Sequence, residues 1–200
     1  MPFKSLQGCL PALAEVLNMN RTTLYERQRA LVREGLLDAL PGHGRGSGVR
    51  ATPESIAMLT IGMLASVNLA DVGPLARSFS EAGSIASKCP LTGAKTLHAA
   101  LSRILSDDSV AKRVNGISVR VTAGHAAIGF DGGNVEMDMD FVLLTKSFAS
   151  RLAKRQIPPS VSVFATKKHQ TKGLLFSVSI PRQTVHDLTA AARAMLTEDA

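Results

Sequence analysis

Apolar residues recur along this chain with two periods, and the change between them falls near residue 115. Ahead of it the spacing is helical. Leu10 to Leu37 carries a strong helical pattern, and Leu97, Leu101, Ile104 and Leu105 predict a further helix over Ala94 to Val114. Between them, Thr52-Pro53-Glu54 opens another helix: Thr caps, Pro suits a first turn whose N–H needs no partner, and Glu favours the positive end. That helix runs to about Asn68. It is apolar nearly all round (Ile56, Leu59, Ile61, Met63, Leu64, Val67), which predicts burial, with a second copy of the chain as one way to cover it. Residues 71–92 contain Gly73-Pro74, Gly83 and Cys89-Pro90-Leu-Thr-Gly93 and read as a short helix followed by a linker.

Behind residue 115 the period is two. Ile117, Val119 and Val121 alternate with Ser118, Arg120 and Thr122. Val135, Met137, Met139 and Phe141 alternate with Glu136, Asp138 and Asp140. Val161 and Val163 alternate with serines, as do Phe176, Val178 and Ile180. Such alternation predicts strands with one buried face. Asp131-Gly132-Gly133-Asn134 is a hairpin signal. Residues 147–156 read as helical, Pro181 stops the last strand, and residues 183–197 form an amphipathic helix. Helices beside an antiparallel sheet predict a two-layer α+β domain.

Composition narrows the class. The 200 residues are 45% hydrophobic, enough to bury a core, but only 4% aromatic, so platforms for stacking bases are scarce. The net charge is +7, which favours a polyanionic partner. The excess is at the two ends. Residues 1–50 carry 7 Lys/Arg against 4 Asp/Glu and residues 116–200 carry 10 against 7, while residues 51–115 carry 6 against 5. Two cysteines, Cys9 and Cys89, make neither a disulfide framework nor a metal cluster, and no secretory or membrane-spanning segment stands out. A cytoplasmic protein is expected.

The chemistry concentrates before residue 52. In Leu10-PALAEVLNMNRTTLYERQRAL, small Ala14 lets two helices approach closely. Asn18 tolerates positive φ in the turn, Met19 plugs it, Asn20 caps the second helix, and Leu24 packs back on the first. The order resembles the helix-turn-helix of DNA-binding proteins, with Asn18 where glycine is more usual. Arg33-Glu-Gly-Leu-Leu37 extends the resemblance to winged-helix regulators: Gly35 stands as a left-handed cap and Leu36-Leu37 as the start of a wing. The resemblance covers roughly residues 6–52. It implies a recognition helix from Arg21 to Glu34, with Leu24, Gln28 and Leu31 inward. Thr22, Tyr25, Glu26 and Arg29 lie outward, and Arg21 and Thr23 stand in the first turn. On that reading Arg29 reads guanine, Thr22 and Tyr25 hold phosphate or a thymine methyl, and Arg27 and Arg33 flank the face toward phosphates. A winged helix has a full helix ahead of the pair, and residues 1–9 are too few for a long one. The helix at 54–69 is the candidate to close the three-helix core instead.

Gly42-His-Gly-Arg-Gly-Ser-Gly-Val-Arg50 has neither order of a nucleotide-phosphate loop, because no Lys follows and the preceding segment is helical. As a wing it would bring Arg45 into a minor groove, with His43 and Arg50 on phosphates; as a plain loop it would be solvated. Glu136, Asp138 and Asp140 share one strand face, which is either a solvated row or a Mg²⁺ site in a DNA-processing enzyme. Lys167-Lys-His-Gln-Thr-Lys172 is a basic tip, and His98, His125 and His186 stand isolated. No nucleophile motif is present.

The expectation is therefore a winged helix-turn-helix domain at 1–52, connecting and dimerising helices at 53–92, and an α+β domain at 93–200. Its function would be that of a sequence-specific transcriptional regulator of bacterial or phage kind. Partners would be double-stranded DNA and a second copy of the chain, with neither cofactor nor metal. The alternatives are a metal-dependent DNA-processing enzyme and a module docking on RNA polymerase or another regulator.

Overall fold

The computed structural model describes residues 4–40, 48–66, 68–84, 88–121, 124–138 and 177–197. Helices α1 (Leu6–Val16) and α2 (Arg21–Arg33) are followed by two short strands, β1 (Ala39–Leu40) and β2 (Gly48–Val49). Helix α3 (Pro53–Ala65), a 3-10 turn (Leu69–Asp71) and α4 (Val72–Ser80) come next, then β3 (Gly83–Ser84), α5 (Leu97–Ser106) and α6 (Asp108–Ala111). Strands β4 (Val114–Arg120), β5 (His125–Phe130), β6 (Gly133–Asp138) and β7 (Ser177–Pro181) precede the last helix, α7 (Arg182–Thr197). The expected segments at 147–156, Val161–Val163 and the Lys167–Lys172 tip lie outside the described residues.

The larger sheet has the order β3-β6-β5-β4-β7, and all its pairings are antiparallel. β5 and β6 join through Asp131-Gly132, with Phe130 opposite Gly133. Gly132 has a φ of +101°, a value that a side chain disfavours, so the hairpin signal in the sequence has a local cause. Alternation sets the faces. Ile117, Val119, Ala126, Ile128, Val135 and Ile180 are buried, whereas Arg120 and Ser179 are exposed. Helices α3 and α7 pack on the sheet, giving the expected α+β architecture.

Helix α3 forms where the Thr52-Pro53 signal stands. Thr52 Oγ1 accepts from the Ser55 backbone N–H at 3.2 Å, and Ser55 Oγ accepts from the Thr52 N–H at 2.9 Å. Ile56, Leu59, Ile61 and Leu64 are at most 1% exposed. Each contributes roughly 2 kcal/mol of hydrophobic stabilisation. Their cover is α2, α4, α5 and the sheet of the same chain. That cover comes from the same chain, so the burial of this helix does not itself call for a second copy. The helix also ends at Ala65 rather than near Asn68, with Ser66 extended at φ −136°.

The run from Ala94 to Val114 is not one helix. Thr96 caps α5, Asp107 breaks the chain and caps α6 through Ser109 and Val110, and Val114 already belongs to β4. The buried residues form one cluster from Leu6 to Met195, crossing both boundaries drawn from the sequence at residues 52 and 92. The reason is direct packing of α1 on α7 and of α2 on α3 and α4.

Candidate nucleic-acid interface

The turn between α1 and α2 is built by local hydrogen bonds. The Met19 N–H donates to Ala14 O at 2.8 Å and the Asn18 N–H to Glu15 O at 3.1 Å, which closes α1 with a left-handed residue. That residue is Asn18, at a φ of +48°, the one non-glycine in this region among the described residues. Met19 is half-buried beneath the turn, and Ala14 is 8% exposed. Asn20 then caps α2, its Oδ1 accepting from the Thr22 N–H at 2.7 Å. The turn geometry expected of Ala14, Asn18, Met19 and Asn20 is present, and Leu24 is completely buried.

The far end of α2 closes in the same way. The Leu36 N–H reaches Leu31 O at 2.9 Å and the Gly35 N–H reaches Val32 O at 3.0 Å, with Gly35 at a φ of +67°. The chain then enters β1, which pairs with β2 in the register Ala39 to Val49 and Leu40 to Gly48. Ser5 forms an antiparallel bridge to Arg50, and the Ala51 N–H donates to Lys4 O at 2.9 Å. The glycine-rich segment is therefore bounded by a paired base, β1 with β2, and β2 packs on α1. His43 and Arg45 lie outside the described residues; Arg50 is exposed at the base.

Helix α2 presents two faces. Leu24, Arg27, Gln28, Ala30 and Leu31 are buried. Arg21, Thr22, Thr23, Arg29 and Arg33 are exposed, and Tyr25 and Glu26 are half-buried. On the open face Arg29 Nη1 pairs with Glu26 Oε1 at 3.3 Å, and its guanidinium carbon sits 5.9 Å from the centre of the Tyr25 ring. With an exposed pair of this kind, the arginine exchanges readily between Glu26 and an external acceptor.

Arg27 is the correction on this helix. It was expected to flank the face toward phosphates, but it is 7% exposed. Its Nη1 donates to Gly62 O at 3.0 Å, Ser66 O at 2.9 Å and Ser66 Oγ at 2.8 Å. Those oxygens are the last turn and cap of α3, the negative end of that helix. Burial lowers the pKa of Arg27 from its ordinary value. A signal was available: residue 27 lies three positions after Leu24 and four before Leu31, on the apolar stripe.

Other candidates resolve differently. His98 Nε2 is 2.9 Å from Glu54 O, which ties α5 to the start of α3. Cys9 and Cys89 are buried, and neither is in a disulfide. Glu136 and Asp138 belong to β6, and Asp140 lies outside the described residues. Among the described residues no group of three His, Cys, Asp or Glu is placed to hold a metal ion, and no helix is long and apolar enough to cross a membrane.

No protein-family model matches the chain, and comparisons with curated proteins and with solved structures find no match. The functional reading therefore rests on this geometry alone.

Proposed function

We propose that the chain is a sequence-specific DNA-binding transcriptional regulator. Helix α2 enters the major groove, and the glycine-rich segment 42–50 lies as a wing along the adjacent minor groove. The observation that carries the reading is the open face of α2. Arg21, Thr22, Arg29 and Arg33 stand exposed on a helix whose other side is anchored by Leu24 and Leu31. A helix held this way offers donors to base edges and phosphates without further ordering cost. Thr22 and Thr23 begin α2, so they meet the duplex first. Arg29 reads guanine through its two terminal nitrogens, while Arg21, Arg33, Arg50 and His43 hold phosphates. Arg45, between two glycines, supplies a guanidinium to the minor groove. Two copies on a two-fold site are the natural assembly, through a surface other than α3.

The test is fluorescence anisotropy with a labelled duplex selected from a random pool. Affinity should fall steeply with salt, by about 0.9 logarithmic units per log unit of salt for each phosphate held. Arg29→Ala should cost about 1–3 kcal/mol and relax base preference at one position. Arg33→Ala should weaken all sequences alike and lower the salt slope by about one. Lys95→Ala, an exposed residue just ahead of α5 and outside the proposed contact set, serves as the control. Equal affinity of the parent, Arg29→Ala and Arg33→Ala proteins for every duplex would overturn the reading.

A further inference from the structure

A cavity of about 440 Å³ opens where the turn between α1 and α2, the first two turns of α2, the end of α3 and the junction of β7 with α7 converge. The volume falls in the range that small-molecule sites occupy. Three of these parts supply apolar residues: Leu17 and Met19 from the turn, Met63 from α3, and Val178 and Pro181 from the junction. Asn18, Thr23 and Thr184 interrupt them. An apolar wall with a few polar groups is the usual make-up of a ligand site.

The wall also decides what charge fits. Arg27 is the one ionisable residue among the described residues that line the cavity, and no carboxylate joins it. An ammonium entering here would therefore meet no counter-ion and would stand near a like charge. Nor does the guanidinium offer a seat to an anion. Its Nη1 already donates to Gly62 O, Ser66 O and Ser66 Oγ, at the negative end of α3. Its Nε is sealed within the packing. Every edge of a guanidinium that could hold a carboxylate by two nitrogens uses one of these two or both, so a bound anion would lose its hydration without a bidentate partner. An uncharged molecule escapes both costs. Met19 and Met63 are unbranched and adapt to a flexible aliphatic body, while Thr23 and Thr184 carry hydroxyls that serve as donor or acceptor to one neutral polar group.

We propose that this cavity binds an uncharged, largely aliphatic small molecule with a single hydroxyl or carbonyl group. Its chain lies against Met19, Met63 and Val178, and its polar group lies toward Thr23 and Thr184. Occupancy joins the α1–α2 turn to the junction of β7 with α7 and so stabilises the fold. It does not depend on the DNA-binding reading.

The test is a ¹⁵N–¹H correlation titration of the full chain with 1-hexanol, and in parallel with hexanoate and hexylammonium, in the absence of DNA. Hexanol should give saturable shifts at the amides of Met19, Thr23, Met63 and Val178, with a Kd of about 1 mM, and should raise the urea midpoint. The two ions have the same chain length and should each bind at least about tenfold more weakly. Val178→Phe on β7 and Met63→Trp on α3 narrow the cavity from separate walls. A variant whose spectrum stays folded should lose the hexanol shifts. Three results would each overturn the site: no saturable shift up to roughly 10 mM hexanol, either ion binding as tightly as the alcohol, or unchanged hexanol affinity in a folded narrowed variant.

Discussion

Asn18, Arg27 and the trio Tyr25, Glu26 and Arg29 show what single residues decide here. Asn18 holds a left-handed turn that a β-branched side chain resists. Asn18→Val should therefore cost about 1–2 kcal/mol in urea unfolding, while Asn18→Gly should be close to neutral. Arg27 anchors α2 to the end of α3, so Arg27→Met should lower stability by about 3 kcal/mol, because carbonyls at Gly62 and Ser66 lose their donor. An arginine serving only phosphates would instead lose DNA affinity at unchanged stability. Glu26 holds Arg29 in a weak exposed pair, so Glu26→Gln should leave the midpoint of unfolding unchanged and raise affinity for duplex DNA about threefold. The two kinds of residue differed in legibility for a physical reason. Asn18 works through bonds to residues three to five positions away, which the sequence displays. Arg27 bonds to residues 35 and 39 positions on, and nothing in the chain's order announces that partner.

At the scale of elements, end signals outperformed periodicity. Thr52-Pro53, Asn20 and Gly35 each mark a helix end where one occurs, since capping is local chemistry. Periodicity alone joined α5, α6 and the start of β4 into one helix, because Leu97, Leu101, Ile104 and Leu105 keep helical spacing up to the break. Asp107 makes that break by capping α6, and Asp108 binds Lys112 at 2.7 Å and Arg193 of α7 at 2.8 Å. Hydrogen bonding lowers both carboxyl groups below the usual carboxylate range: Asp107 through Ser109, Asp108 through Lys112 and Arg193. A depressed folded pKa adds stability that is present at neutral pH and is lost as pH falls through the folded value. The urea midpoint should hold steady down to the ordinary carboxylate range and drop below it. Asp107→Asn and Asp108→Asn should each flatten that drop; an unchanged acid limb in both would remove this role. The strand pair β1–β2 was legible only as the base of a loop, and the proposed wing is tested at Arg45. Arg45→Ala should weaken binding most on duplexes with A/T-rich flanks, as read from paired anisotropy titrations.

At the scale of the whole molecule, the helix pair and the sheet share a core. The sequence shows two halves with different periods, but not that α1 lies on α7, because such contacts depend on how the chain returns. Unfolding should therefore be a single transition. Tyr25 is the only tyrosine and there is no tryptophan, so tyrosine fluorescence reports α2 while far-UV circular dichroism reports the whole chain. Their urea midpoints should coincide, and two separated midpoints would show that the N-terminal segment folds apart. The shared core also holds α2 rigid while its outer face stays open, which is what reading a duplex requires. The most direct measurement is selection from a random duplex pool, with the retained sequences compared between the parent and Arg29→Ala proteins. The account predicts one enriched motif with the parent, containing a guanine whose preference disappears in the variant. Retention of no motif by the parent, or of the same motif with the same guanine by both proteins, would contradict it.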